Sequence, residues 1–186
     1  MEVSRVLVGV ALIKLQNNKP PLISAGAFSW LDFTDFFSNA RFVSGYFEIG
    51  IFNLKTPENL GTLWRSAYSC GAAGIFTIGK RYQKQSCDCF STAKHIPLRS
   101  YLTFDDFLAA RPDGAMLVAV ESGGTPLREF KHPKRALYLL GAEDSGIPGR
   151  IINRCNELVT LDSVDPQPYN VAVAGSVVMY DRMFLR

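Results

Sequence analysis

Hydrophobic and polar positions change character near residue 45. Beyond it, short apolar runs alternate with amphipathic ones. Tyr46–Phe52 (YFEIGIF) alternates and is rich in β-formers, which predicts a strand. Thr56-Pro57-Glu58 is a helix start: a capping hydroxyl, a proline at the first helical position and an acid in the first turn. Leu60, Leu63, Trp64, Ala67 and Tyr68 then share one helical face, and Gly71 and Gly74 close the helix. Residues 75–78 read as a second strand, and residues 79–99 as a long polar loop. Thr103 predicts the cap of a helix that ends before Arg111-Pro112. Residues 115–120 (AMLVAV) form a continuous apolar strand, ended by the turn Glu121-Ser122-Gly123-Gly124. Residues 126–130 read as one helical turn. Residues 136–140 read as a buried strand that stops at Gly141. Pro148 opens a helix to Cys155, residues 158–161 are a last strand, and residues 170–185 a C-terminal helix.

Strands alternating with helices predict an α/β fold, a mostly parallel sheet with helices on both faces. Residues 45–186 form that domain. Residues 1–44 read as an N-terminal extension. Its aromatic stretch, residues 28–37 (FSWLDFTDFF), suits a short helix or loop packed on the domain, and the segment shows no chemistry.

Composition narrows the class. The chain has 186 residues, of which 47% are hydrophobic, enough for one domain with a core of its own. The net charge of +3 and pI near 8.7 are compatible with a nucleic-acid partner without demanding one. Four cysteines, Cys70, Cys87, Cys89 and Cys155, include no Cys-x-x-Cys pair, so reduced thiols are expected rather than a metal site. The apolar run 6–13 is too short to span a bilayer. Polar residues 14–19 separate it from the small-residue triplet Ala25-Gly26-Ala27, which argues against a signal peptide. A cytoplasmic protein with no membrane partner is expected.

Several catalytic signatures are missing. No Gly-x-Gly-x-x-Gly follows the first strand, no Walker A lysine motif occurs and no Gly-x-Ser-x-Gly is present. His95 and His132 both fall in polar stretches. Three segments at strand ends remain. Asn59 to Arg65 (NLGTLWR) opens the first helix. Gly141 to Gly146 (GAEDSG) is an acidic loop flanked by glycines, which let backbone approach a ligand closely. Asn170 to Ser176 (NVAVAGS) starts the last helix with small residues. The loop 79–99 adds Lys80, Arg81, Lys84, Lys94, His95 and Arg99, a set able to meet a phosphate backbone.

In this order and spacing, the three segments resemble the three motifs of the SpoU (TrmH-like) RNA 2′-O-ribose methyltransferases of the SPOUT superfamily. The arginine six positions after the asparagine and the Gly-x-Glu-x-x-Gly-hydrophobic-Pro loop carry the likeness, which runs from Tyr46 to the C-terminus. The resemblance implies a trefoil-knotted domain, a homodimer, and methyl transfer from S-adenosylmethionine to a ribose 2′-hydroxyl, with tRNA favoured slightly over rRNA. Periodicity by itself predicts an ordinary open sheet. Catalytic roles then fall to Arg65, Asn59, Glu143 and Asn170. Cofactor contacts fall to Val120, Leu140, Gly141, Ile147, Leu161 and Asn170. RNA contacts are expected from Arg65, Lys80, Arg81, Lys84, Lys94 and Arg99. No metal is implied. Leu63, Trp64, Val177, Val178 and Met179 are candidates for a dimer interface or for core.

The chain departs from the motif pattern at one place. Third motifs of the family usually read Ser-x-Asn, and here Pro168-Tyr169-Asn170 stands instead. Pro168 supplies neither a hydroxyl nor an N–H. That keeps a second reading open, a non-catalytic RNA-binding relative with an impaired cofactor site.

Overall fold

The computed structural model describes residues 45–79, 94–165 and 167–184. The extension 1–44 and the basic residues Lys80, Arg81 and Lys84 lie outside the described residues. Six strands form one sheet: β1 (Tyr46–Phe52), β2 (Gly74–Ile78), β3 (Leu98–Tyr101), β4 (Met116–Pro126), β5 (Arg135–Leu140) and β6 (Glu157–Thr160). Their spatial order is β3-β2-β1-β5-β4-β6, and every pairing is parallel. Helices α1 (Pro57–Ser69), α2 (Phe104–Ala109), α3 (Gly149–Ile152) and α4 (Val171–Met183) connect or follow the strands. A 3-10 turn, Leu127–Glu129, precedes β5.

The period-two pattern of the strands sorts the core into two layers. Ile49, Ile51, Val118, Tyr138 and Leu140 face α1 and α4, where Leu60, Leu63, Ala67, Val178 and Met179 meet them. Leu117, Ala119, Leu137 and Leu139 face the other way, onto Phe104 and Phe107 of α2 and Ile151 of α3. Both faces of the sheet are therefore covered, which is why its central strands are continuous apolar runs. Gly175 is the point of closest approach between α4, α1 and the sheet. A Cβ there would press into Leu63 and lie 2.9 Å from Leu140 Cδ1 and 3.2 Å from Ile49 Cδ1.

The structure corrects five local expectations. Part of the supposed loop 79–99 is strand β3, an exposed edge whose polar residues hide its pairing with β2. Gly71 leaves α1 in the left-handed region (φ 78°), whereas Gly74 already begins β2. The turn at 121–124 does not end β4. The strand shifts register between Val120 and Thr125 and pairs with β6 on both sides of the irregularity. Thr56 sits at the cap of α1, but its side chain makes no cap bond. His132 lies in the connection before β5, as expected, but its side chain is not solvated: it is 3% exposed.

Two polar networks tie the fold at its edges. Buried Glu48 accepts hydrogen bonds from Tyr46 and from Arg99 of β3. Burial first, and the Glu48 carboxylate second, push the Tyr46 hydroxyl up to about 12. At the end of α4, buried Arg182 donates to the Pro133 carbonyl at 2.6 Å and to Tyr138 Oη at 3.1 Å. His132 joins the same group through Tyr138 Oη (2.6 Å) and Asp181 Oδ2 (3.1 Å).

Candidate active site

The carboxyl ends of β1, β4, β5 and β6 open onto one region of the molecule. Sheets of this kind offer ligands that edge. After β5, Gly141 is followed by a tight loop in which the Gly146 N–H donates to the Ala142 carbonyl at 2.9 Å. A Cβ at Gly141 would lie 2.6 Å from both Gly146 Cα and Ile147 N, so the loop can fold back only onto a glycine. Gly146 turns the chain at φ 60°.

Glu143, at the tip of that loop, reaches across to the start of α1. Its Oε1 accepts from the Thr56 amide at 3.1 Å and from Asn59 Nδ2 at 2.6 Å, and its Oε2 from the Lys55 amide at 3.1 Å. This carboxylate sits where the helix presents unpaired N–H groups and partial positive charge. Partial burial raises its pKa, but the bonds from Asn59 and from the backbone amides of Glu143, Lys55 and Thr56 outweigh that and hold it below the usual range. Asp144, beside it, pairs with Lys55 at 3.2 Å.

The network continues to the third segment. Asn59 Oδ1 accepts from Asn170 Nδ2 at 3.0 Å. Asn170 Oδ1 in turn accepts from the Ala172 amide at 2.9 Å and the Val173 amide at 3.4 Å, capping α4. The polarity of the chain is forced from both ends. A carboxylate can only accept and a helix N–H can only donate, so each asparagine has one possible amide orientation. Asn59, Glu143 and Asn170, expected together from sequence, are brought together. Farther along, Ser176 Oγ meets Ser66 Oγ at 2.8 Å and locks α4 to α1.

Beside this network lies a cleft of about 780 Å³. Val120, Leu140, Gly141, Ile147 and Leu161 all line it, with Val171 and Ala174 of α4 as the apolar wall. Glu143, Asp144, Asp165, Gln167 and Tyr169 supply its polar side, with Pro168 among them on the wall. Sequence reasoning missed Glu121, which also lines it. Glu121 Oε2 accepts from the Ile147 amide at 3.0 Å and so ties the returning loop to β4. An acid directly after an apolar strand and before a glycine pair was the available signal. The loop carrying Pro168 is ordered from within. Gln167 N–H donates to Asp165 Oδ1 at 2.9 Å, and Tyr169 Oη to the Asp162 carbonyl at 3.0 Å.

The other expected site residues lie apart. Arg65 is exposed on α1, away from its buried stripe of Leu60, Leu63 and Ala67, and is not among the residues lining the cleft. Lys94 is exposed. Arg99 is engaged by Glu48 on the edge strand, with its side chain 45% exposed. Of the interface candidates, Leu63, Val178 and Met179 are buried core, and Trp64 is half-buried with its Nε1 donating to the Ile96 carbonyl at 3.2 Å. Val177 faces outward, 40% exposed.

Known proteins share the fold. A relative from Mycobacterium bovis, an uncharacterized tRNA/rRNA methyltransferase, is 24% identical over 138 residues, covering 70% of this chain and 43% of its own length. The chain thus spans less than half the length of the curated relatives it matches. Among solved structures, one described as structural insights into the 2-OH methylation of C/U34 on tRNA superposes with a TM-score of 0.67. It is 24% identical and covers 75% of this chain and 95% of that one. An AdoMet-bound rRNA methyltransferase from Sinorhizobium meliloti gives a TM-score of 0.68 at 23% identity, over 75% of this chain and 56% of that one. These likenesses establish a SPOUT methyltransferase fold. The model of the SpoU rRNA Methylase family matches residues 46–180, so the chain belongs to that family.

Proposed function

We propose that this protein transfers a methyl group from S-adenosylmethionine to a ribose 2′-hydroxyl of RNA, with tRNA favoured over rRNA. The observation that carries the reading is the cleft of about 780 Å³ at the strand ends, joined to the Glu143–Asn59–Asn170 network. That volume lies within the ~300–1,000 Å³ of small-molecule sites. The cleft suits the cofactor chemically. Val120, Leu140, Ile147 and Leu161 give apolar walls for a purine, the glycine loop exposes backbone to its edges, and Glu121, Asp144 and Asp165 favour a cationic ligand. The cofactor supplies an electrophilic methyl group on a sulfonium.

The chain's own groups divide the remaining work. Glu143 is a poor general base, because three N–H donors from Lys55, Thr56 and Asn59 occupy its oxygens and its pKa is lowered. It acts as a positioning residue, with Asn59 and Asn170, holding α1 and α4 against the cleft. Arg65 grips an RNA phosphate with its planar fork, which orients the ribose. The hydroxyl proton leaves to water.

The resemblance carries two further parts of the proposal. One is a trefoil knot in the chain. The other is a homodimer, for which α4 offers a surface. Val173, Val177 and Tyr180, at i, i+4 and i+7, are 48%, 40% and 62% exposed and form an outward apolar stripe.

Methyl-group labelling of total RNA followed by nucleoside mapping tests the function. A 2′-O-methylated nucleoside is expected. Pro168 on the cleft wall favours one other reading, the RNA-binding relative with an impaired cofactor site. Calorimetry with S-adenosylhomocysteine separates the two: no heat at high concentration selects the second.

A further inference from the structure

A second cleft opens on the same sheet edge, over the carboxyl ends of β1, β2 and β3. Its volume is about 630 Å³. Nothing in the methyl-transfer reading uses it. Helix α3 is the partition between the two clefts. Ile147 and Ile152 line the first, while Pro148, Arg150, Ile151 and Arg154 line the second.

The chemistry of this second cleft is that of a nucleotide. Half-buried Phe52 and Leu102, 67% exposed, give the cleft its accessible apolar surface, over the buried side chains of Ile78 and Phe104. Such surface accepts a base face, whatever the base. Arg150 and Arg154 bring two guanidiniums to the same space, against one carboxylate, that of Asp105. Arg154 pairs with Asp105 at 2.7 Å, and its guanidinium lies 5.1 Å from the centre of the Phe104 ring. Both partners of that pair are well exposed, so the bond is weak and exchangeable for a phosphate contact. Asn53 in the left-handed region (φ 55°) and Gly79 (φ 110°) also line it, at the ends of β1 and β2.

We infer that the second cleft is a subsite for a nucleotide flanking the methylated one, its base on the Phe52–Leu102 surface and its phosphate between Arg150 and Arg154. The inference rests on the proposed methyl transfer to RNA. A strand whose target ribose lies over the first cleft crosses α3 to reach it. RNA is the favoured occupant because the cleft combines an apolar face with excess positive charge.

The test measures anisotropy of a fluorescein-labelled, mixed-sequence single-stranded RNA 12-mer with the full chain and three variants. Arg150→Ala and Arg154→Lys remove a charge and a fork respectively. Leu102→Asp places a negative charge on an exposed rim position. Each is expected to weaken RNA binding about fivefold to tenfold. Loss of one phosphate contact lowers the log–log salt slope by about 0.7 for a single strand, and Arg150→Ala is expected to show that change. S-adenosylhomocysteine binding, followed by calorimetry, stays at the wild-type value. Wild-type RNA affinity and salt slope in all three variants overturn the subsite and leave the methyl-transfer reading standing. Absence of both RNA and S-adenosylhomocysteine binding in the unaltered chain overturns the two together.

Discussion

Asn170 donates its side-chain amide to Asn59 at 3.0 Å, across a separation of 111 residues. The same Asn59 donates to Glu143 at 2.6 Å, and Asn170 accepts from the first amides of α4. Three segments far apart in sequence thus share one directional chain of hydrogen bonds.

That directionality makes Asn59→Asp a sharp probe. The new side chain has the same shape but turns the donor toward Glu143 into an acceptor, and sets two carboxylates in contact. We expect a loss of about 1–3 kcal/mol in stability, the usual cost of a broken partly buried hydrogen bond, with methyl transfer lost. Chemical denaturation and the methyl-labelling assay report the two effects. A variant as stable and active as the parent would remove the network from any positioning role.

Gly141→Ala tests the loop. Its Cβ meets backbone at Gly146 and Ile147, so the loop must move. S-adenosylhomocysteine affinity is expected to fall at least about tenfold, or ~1.4 kcal/mol. Calorimetry measures it, and an unchanged affinity would place the ligand elsewhere.

Arg65→Lys keeps the charge and loses the two-pronged geometry. The rate of methyl transfer should drop by about tenfold or more, while S-adenosylhomocysteine binding is retained, since Arg65 does not line the cleft. A near-parental rate would exclude a phosphate fork at this position.

Stability should depend on pH through His132. Burial lowers its pKa, and the opposing effect of Asp181 is smaller. The folded value therefore lies below the unfolded value of about 6.5. In that window the unfolded chain binds more protons, so stability is full above about pH 6.5 and falls as pH drops through the folded value. Urea midpoints at pH 7.5 and pH 5 should differ more for the parent than for His132→Gln. Equal differences would show that another group governs the acid limb.

The apolar stripe on α4 gives the last prediction. Val177→Glu puts a charge at an outward position, where the monomer tolerates it. Sedimentation of the parent at micromolar concentration is expected to give a dimer, and of the variant a monomer. A monomeric parent would refute the dimer outright.

The amino-acid sequence alone determined the elements whose signals are local. β1 and β5 read as strands from alternation and apolar runs, and α1 starts where Thr56-Pro57-Glu58 places it. The need for glycine at 141 was visible as well, though not the backbone at 146 and 147 that imposes it. Tertiary structure decided what depends on distant partners. Residues 98–101 became a strand because β2 offers an edge, and β4 continues past its glycines because β6 pairs with it on both sides. The His132 side chain is covered because Tyr138 and Asp181 satisfy its two ring nitrogens, which no local pattern announces. Sequence, through the three motifs, marked Asn59, Glu143 and Asn170 for one site without showing how they touch. Only the parallel sheet, which brings the ends of β1 and β5 side by side beneath the start of α4, makes them one hydrogen-bonded chain. Local patterns record what a residue prefers, whereas a hydrogen bond across 111 residues exists only after the strands have chosen their neighbours.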